Sequence, residues 1–292
     1  MRPAERKKLA MEAMKKAAHI RSHILRVSMT APICIYDAAE TLGVTVKFKE
    51  YKTVEGVYHK GNPANIVITS LRPGGRQAFT CAHELGHHIF GHGDIWEEIL
   101  TWGSDDPDEF LVDCFAGYLM MPPSVVNNAF TVRGWTVSNP SPLETFVVAG
   151  IIGVGYTTLL NHMSLALNIL PYQRSEQLQK VEPKELRRKI LGRIVSEDVL
   201  VVDKHWPGQD RSIDVKVDDY IVLPTGTVAE GKVVQHIDTI SSGEIYHAIR
   251  PGTGRFMNSR LGWAAFTRIA RRNYTGLARY RHLEDEEYLN EE

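Results

Sequence analysis

The stretch FTCAHELGHHIFGHG, Phe79 to Gly93, gathers four histidines (His83, His87, His88, His92) and one glutamate, Glu84. His83-Glu84-Leu85-Gly86-His87 fits H-E-x-x-H. On a helix, residues four apart share a face, so both imidazoles can reach one ion while Glu84 stands beside them. That set suits hydrolysis. Zn²⁺ lowers the pKa of a bound water to about 7 and polarises a carbonyl, and the neighbouring carboxylate takes the proton. His88 points about 100° round the helix from His87, and His92 lies past Gly91, where the helix should stop. Both are therefore assigned to the helix end or the cleft wall rather than to the ion.

A catalytic zinc needs a third protein ligand and an open fourth position. Glu109 lies 22 residues after His87, with Asp113 one turn further along the same helical face. This E-x-x-x-D spacing resembles the thermolysin-like pattern, in which the glutamate binds zinc and the aspartate orients a ligand histidine through its other ring nitrogen. The expected set is His83, His87 and Glu109 as ligands, Glu84 as general base and Asp113 behind His83; spacing alone also leaves Asp113 open as the third ligand. A metzincin site would need glycine and histidine where Phe90 and Gly93 stand. A thiolate can fill an open zinc position, so Cys114, next to Asp113, is a candidate inhibitory ligand and Cys81 a weaker one. Both also suit small buried apolar positions.

These groups require two helices in register. The pattern predicts a helix from Arg76 to Phe90, delivered by a Pro-Gly-Gly turn after the strand Ala64–Thr69, and a second from Pro107 to Met120, capped through Asp106 or Asp108 and closed by Pro122-Pro123. Helical spacing over residues 4 to 28, a short helix Asp37–Leu42 and a strand Val44–Phe48 come before them. Residues 143–170 are apolar at helical spacing with almost no charge. They are read as packing beneath the active site rather than as a DNA-reading helix-turn-helix, which would need cations for phosphate. The GxxGxG of Gly150–Gly155 lacks the strand–helix context of a nucleotide loop.

RQAFTCAHELGHHIFGHG (Arg76 to Gly93) and EFLVDCFAGYLMMP (Glu109 to Pro122) resemble, in order and spacing, the two motif segments of the ImmA/IrrE family of metallopeptidases. The second departs at Val112-Asp113, where the family usually has Ala-Asn. The resemblance covers roughly the first 170 residues. It implies a zincin-like fold, a Zn²⁺ cofactor and an endopeptidase that cuts a helix-turn-helix transcriptional repressor to derepress an operon, as in DNA-damage or anti-phage responses. The CapP-like type of anti-phage operons, two-domain proteins whose cutting responds to single-stranded DNA, is the subtype expected. No helix-turn-helix precedes the motifs, so the repressor is expected to be a separate protein.

From Leu200 the chain turns to short β-branched runs such as IDVKVDDYIVLP and GKVVQHI, separated by Gly, Pro and Asp. The expectation is an α+β protein: a mainly helical metallopeptidase domain with a small sheet (1–172), a smaller β-rich sensor domain (180–283) and an acidic tail (284–292). Residues 250–283 carry eight arginines, no acidic residue and interleaved aromatics, a composition suited to phosphate and base stacking. Arg268, Arg271, Arg272 and Arg279 are the candidate nucleic-acid contacts, the competing reading being a solvated basic helix paired with the acidic tail.

The chain of 292 residues has a formal net charge of −1, which names no partner. Three dispersed cysteines (Cys34, Cys81, Cys114), no signal-like start and no apolar run of membrane length point to a soluble cytoplasmic protein. A different class of function remains open at this stage: a non-proteolytic, DNA-responsive regulator or antitoxin-like protein with a structural zinc. A general small-peptide hydrolase is a third reading.

Overall fold

The computed structural model describes residues 1–93, 95–97, 105–207 and 211–284; all of the expected acidic tail beyond Glu284 lies outside them. Helix α1 (Pro3–His19) runs into a π-turn (Ile20–Ile24) and is followed by α2 (Ile35–Thr41), β1 (Thr45–Lys49), β2 (Gly56–His59), β3 (Asn65–Thr69), α3 (Gly74–Phe90), β4 (Ile95–Glu97), α4 (Pro107–Met120) and α5 (Pro123–Thr131). Then come α6 (Pro142–Ile152), α7 (Tyr156–Asn161), α8 (Tyr172–Gln179) and α9 (Pro183–Leu191). The remainder is strands: β5 (Val199–Val201), β6 (Ile213–Lys216), β7 (Tyr220–Leu223), β8 (Val228–Glu230), β9 (Val234–Ile240), β10 (Gly243–Ala248), β11 (Gly252–Asn258), β12 (Trp263–Ala270) and β13 (Gly276–Leu277). The architecture is α+β, with three small mixed sheets ordered β13-β1-β3-β2-β4, β5-β7-β10-β9 and β6-β12-β11-β8.

Short strands with one buried face need neighbours to hide it, and the sequence order of the sheets shows how they are found. In the first sheet β1 and β3 are parallel, and β2 returns antiparallel beside β3. The chain comes back to this sheet after the β-rich part: Leu277 of β13 pairs with Lys47 of β1. Composition changes after Pro171 gave no signal of that return, because two residues carry no periodicity. The apolar segment 143–170 has a double duty. On α6, Val148 and Ile152 face the core of the helical part, while Val147 and Ile151 face the core of the two C-terminal sheets. A helix apolar all round is a buried helix, and this one is the shared wall of two cores.

Three devices hold α4, the helix that carries Glu109 and Asp113. The Asp106 carboxylate accepts from the backbone N–H of Asp108 (2.8 Å) and Glu109 (3.3 Å), starting the helix where the sequence placed its cap. At the other end, Arg21, fully buried, donates to the carbonyl of Leu119 (2.8 Å) and to Ala31 O. Burial among carbonyls pulls its pKa down to about 10. Cations favour a helix C-terminus, so Arg21 fixes α4 against the end of α1. Finally, the ring of His162 packs on Gly117 and hydrogen-bonds through Nε2 to the carbonyl of Met121 at 2.9 Å.

Burial depresses the pKa of His162 to about 4. A folded-state pKa below the unfolded value of about 6.5 means that the unfolded chain binds the extra proton first, so stability rises with pH across that window and is lost on acidification. We predict a loss on the order of 3 kcal/mol between pH 6.5 and 4 from this group alone. Urea midpoints measured against pH should flatten over that range in His162→Gln; an unchanged slope would remove His162 as the cause.

Candidate metal centre

Helix α3 follows the parallel strand β3 through the turn before Gly74, and its residues from Gln77 to His87 are buried without a break. It ends at Gly91, whose φ of 75° is the left-handed geometry that favours glycine. His83, Glu84 and His87 are each no more than 1% exposed. An added Cβ at Gly86 would come within 2.8 Å of the Val112 side chain. Without one, α4 lies against the middle of α3 and brings its first turns over the two histidines.

The result is a convergence of donor atoms. The Nε2 atoms of His83 and His87 stand 3.2 Å apart, and the Glu109 carboxylate lies 3.3 Å from the first and 3.7 Å from the second. One ligand atom from each of the three residues falls within 4.8 Å of the others. Zinc–nitrogen bonds of 2.0–2.1 Å at a tetrahedral angle put donor atoms about 3.3 Å apart. Two imidazoles and a carboxylate at this spacing fit a divalent metal ion. The side chain of Glu109 is 30% exposed whereas the histidines are sealed, so the opening toward solvent is on the carboxylate's side.

The groups behind the donors set ring orientation. Asp113 Oδ1 is 2.8 Å from His83 Nδ1, so the carboxylate accepts that N–H and leaves Nε2 to a metal. Asp113 thus stands behind His83, and Glu109 supplies the converging carboxylate. His87 is held by a residue that spacing did not single out for this: its Nδ1 lies 2.9 Å from Nδ1 of His92, whose Nε2 is 3.8 Å from Asp108 of α4. The turn at Gly91 folds His92 back onto the helix, a tertiary effect that a helical wheel cannot express. His88 points elsewhere, 3.1 Å from the hydroxyl of Tyr58 on β2, and burial lowers its pKa.

Cys114 does not join this group. It packs at the margin of the helical core, and burial together with the negative charge of Asp113 pushes its thiol up to about 12, away from the thiolate. Cys81 is fully buried, and burial raises its pKa strongly as well. Cys34 lies near Arg281, whose guanidinium approaches its Sγ at 3.6 Å.

Strand β2 passes directly over the reactive glutamate. A Cβ on Gly56 would fall 2.4 Å from Glu84 Oε1 and 2.6 Å from Thr80 Cγ2. Both neighbours are buried, so neither can swing away cheaply. Gly56→Ala should displace the Glu84 carboxylate and cut turnover by about 10²-fold while metal content is retained. Wild-type activity in that variant would show that the close approach of β2 is incidental. The sequence pattern placed no strand at Gly56, so this approach of β2 had no mark there.

The candidate nucleic-acid arginines lie elsewhere, on or after β12. Arg268 is bidentate on Asp214 (2.6 Å) and reaches Asp37 of α2 (3.0 Å); Arg272 pairs with Asp219 (2.9 Å); Arg279 approaches Glu40 (3.4 Å). Arg271 lines a cavity between the helical and β-rich parts. The segment that lacks acids in sequence therefore meets acids brought by other elements. Its order is also strand rather than helix.

Residues 39–149 match the model of a peptidase family described as the IrrE N-terminal-like domain. This domain belongs to the ImmA/IrrE family. The match spans α3 and α4 with both motif segments, and the family is one of metallopeptidases, in keeping with the His83–His87–Glu109 group. No curated protein matches the chain. Among the described residues, no single helix is long and apolar enough to cross a membrane.

Proposed function

We propose that this ImmA/IrrE-family protein is a zinc endopeptidase of zincin-like, gluzincin type, with His83, His87 and Glu109 holding zinc. The observation that carries the reading is the meeting of two Nε2 atoms and one carboxylate at tetrahedral donor spacing. When bound, zinc supplies Lewis acidity, polarising the scissile carbonyl and acidifying water. Glu84, one residue from His83 on the buried face of α3, takes the proton from the attacking water and returns it to the leaving amine. Asp113 keeps His83 in the tautomer that presents Nε2, and His92 does the same for His87. Gly56 keeps β2 close enough to confine the Glu84 carboxylate.

The substrate proposed is a separate helix-turn-helix transcriptional repressor, cut in the cytoplasm at one site so that an operon is switched on in a DNA-damage or anti-phage response of the CapP-like kind. Single-stranded DNA is the proposed activator. Supporting it, Phe266 of β12 is half exposed and stands opposite Arg255 of β11 in strand register, an aromatic and a cation placed side by side as base stacking and phosphate attraction require. Incubating the zinc-loaded protein with candidate repressors, with and without a single-stranded oligonucleotide, tests this reading. One cut, dependent on the strand and absent in Glu84→Gln, is expected; equal turnover of unstructured peptides with no activator would contradict it.

A further inference from the structure

A cavity of about 510 Å³ lies between the helical part and the C-terminal sheets, and none of His83, Glu84, His87, Glu109 or Asp113 lines it. Its volume is that of a small-molecule pocket. Much of the wall is apolar and aromatic, including Phe48, Phe146, Ile152, Tyr156 and Trp206. Its polar end is formed by the start of α3, by β6 and by Arg211.

The charges at that end do not balance within the described protein. Each lining carboxylate has an arginine: Asp198 with Arg187 (3.1 Å), Asp214 with Arg268 and Arg281 (2.6 and 3.5 Å), and Asp219 with Arg272 (2.9 Å). Arg76 is taken by Glu55 (2.9 Å). Two cations then make their direct side-chain hydrogen bonds, among the described residues, to neutral groups, with the carboxylates Asp219 and Asp214 nearby but paired to arginines. Lys216 Nζ donates to Gln77 Oε1 at 2.8 Å, and Arg211 donates to the carbonyls of Ile151 and Ile152 while stacking over Trp206. Desolvation lowers the pKa of both and outweighs the opposing pull of Asp219 and Asp198 on Lys216 and of Asp214 on Arg211.

Two further observations point to an anion. The N-cap position of α3 is Pro73, whose side chain offers no acceptor, so the positive end of a long helix opens on the cavity uncapped. Beside it Ser70 is only 3% exposed, lines the cavity, and its Oγ has no hydrogen-bond partner among the described residues. A buried hydroxyl is normally satisfied, and here a ligand oxygen would satisfy it.

We propose that this cavity binds a small organic anion with a flat apolar body and a single anionic head, the head held by Lys216, Arg211, Ser70 Oγ and the N-terminus of α3. The head chemistry is shared by a nucleoside monophosphate and an aromatic carboxylate. Gln77, which would touch such a ligand through Lys216, is six residues, about 9 Å, before His83 on the same helix, so the occupant would bear on the helix that carries the metal ligands. The binding itself does not depend on the protein being a peptidase.

Calorimetric titration of the full-length protein with AMP and with 2-naphthoate tests this, adenosine and inorganic phosphate serving as controls for body and head alone. At least one of the two anions should bind at least about tenfold more tightly than either control. Lys216→Gln, which keeps a donor for Gln77 and removes the charge, should weaken that anion by about tenfold or more, and Lys216→Arg should recover it. Thermal midpoints of the variants show whether the fold persists, and a Lys216→Gln protein that unfolds passes the test to Ser70→Ala, which should also weaken the anion. AMP preferred over 2-naphthoate assigns a phosphate head, the reverse a carboxylate. Binding of neither anion below millimolar concentration, or affinity untouched in folded Lys216→Gln, would overturn the proposal.

Discussion

Glu84→Gln should leave a folded protein with its full complement of zinc and no measurable peptidase activity, a loss of at least about 10³-fold. The carboxylate is fully buried next to His83 yet belongs to none of the converging donor atoms. Removing its charge therefore leaves the metal set intact and takes away only the group that moves the proton. The amide fits the same volume between Thr80 and Gly56, so stability should change little. Zinc content by atomic emission and cleavage of the proposed repressor substrate, measured on the same preparation, separate the two roles. Cleavage surviving at more than about one tenth of the wild-type rate would remove Glu84 as the general base.

Glu109→Ala makes the opposite prediction: zinc is lost and activity disappears with it. Two imidazoles remain, but a site reduced to two protein ligands is incomplete for zinc, and affinity should fall by about 10³-fold. Asp113 cannot replace Glu109, because it is engaged behind His83 at 2.8 Å. Asp113→Asn should accordingly be milder, weakening zinc by about 10- to 100-fold, the usual effect of losing a ligand's supporting partner. A competition titration with a chelator orders the variants. Wild-type zinc affinity in Glu109→Ala, with affinity abolished in Asp113→Asn, would exchange the roles of the two carboxylates.

How far these groups were legible in the sequence follows from how local each constraint is. α4 spans Pro107–Met120 as the cap and proline signals required, and α3 begins at Gly74, two residues before the predicted start, and ends at Phe90 as expected. Helical spacing alone places His83 with His87 and Glu109 with Asp113. What the pattern left open was which carboxylate of the second pair turns inward to the metal, since that depends on how closely α4 approaches α3 at Gly86. The contact of His92 with His87 and the passage of Gly56 over Glu84 join residues that no periodicity links. The arginine-rich segment is the sharpest case. Its charge looked unbalanced along the chain because Asp37, Asp214 and Asp219, which meet it in space, are up to 231 residues away in sequence.

The distinction between a catalytic and a purely structural metal site rests on the donor set, and zinc K-edge absorption of the zinc-loaded protein reads that set directly. Two imidazole nitrogens and oxygen donors at about 2.0–2.2 Å, with no sulfur shell, are predicted. A zinc–sulfur distance of about 2.3 Å would place Cys114 or Cys81 on the metal as a closing ligand and contradict the hydrolytic reading.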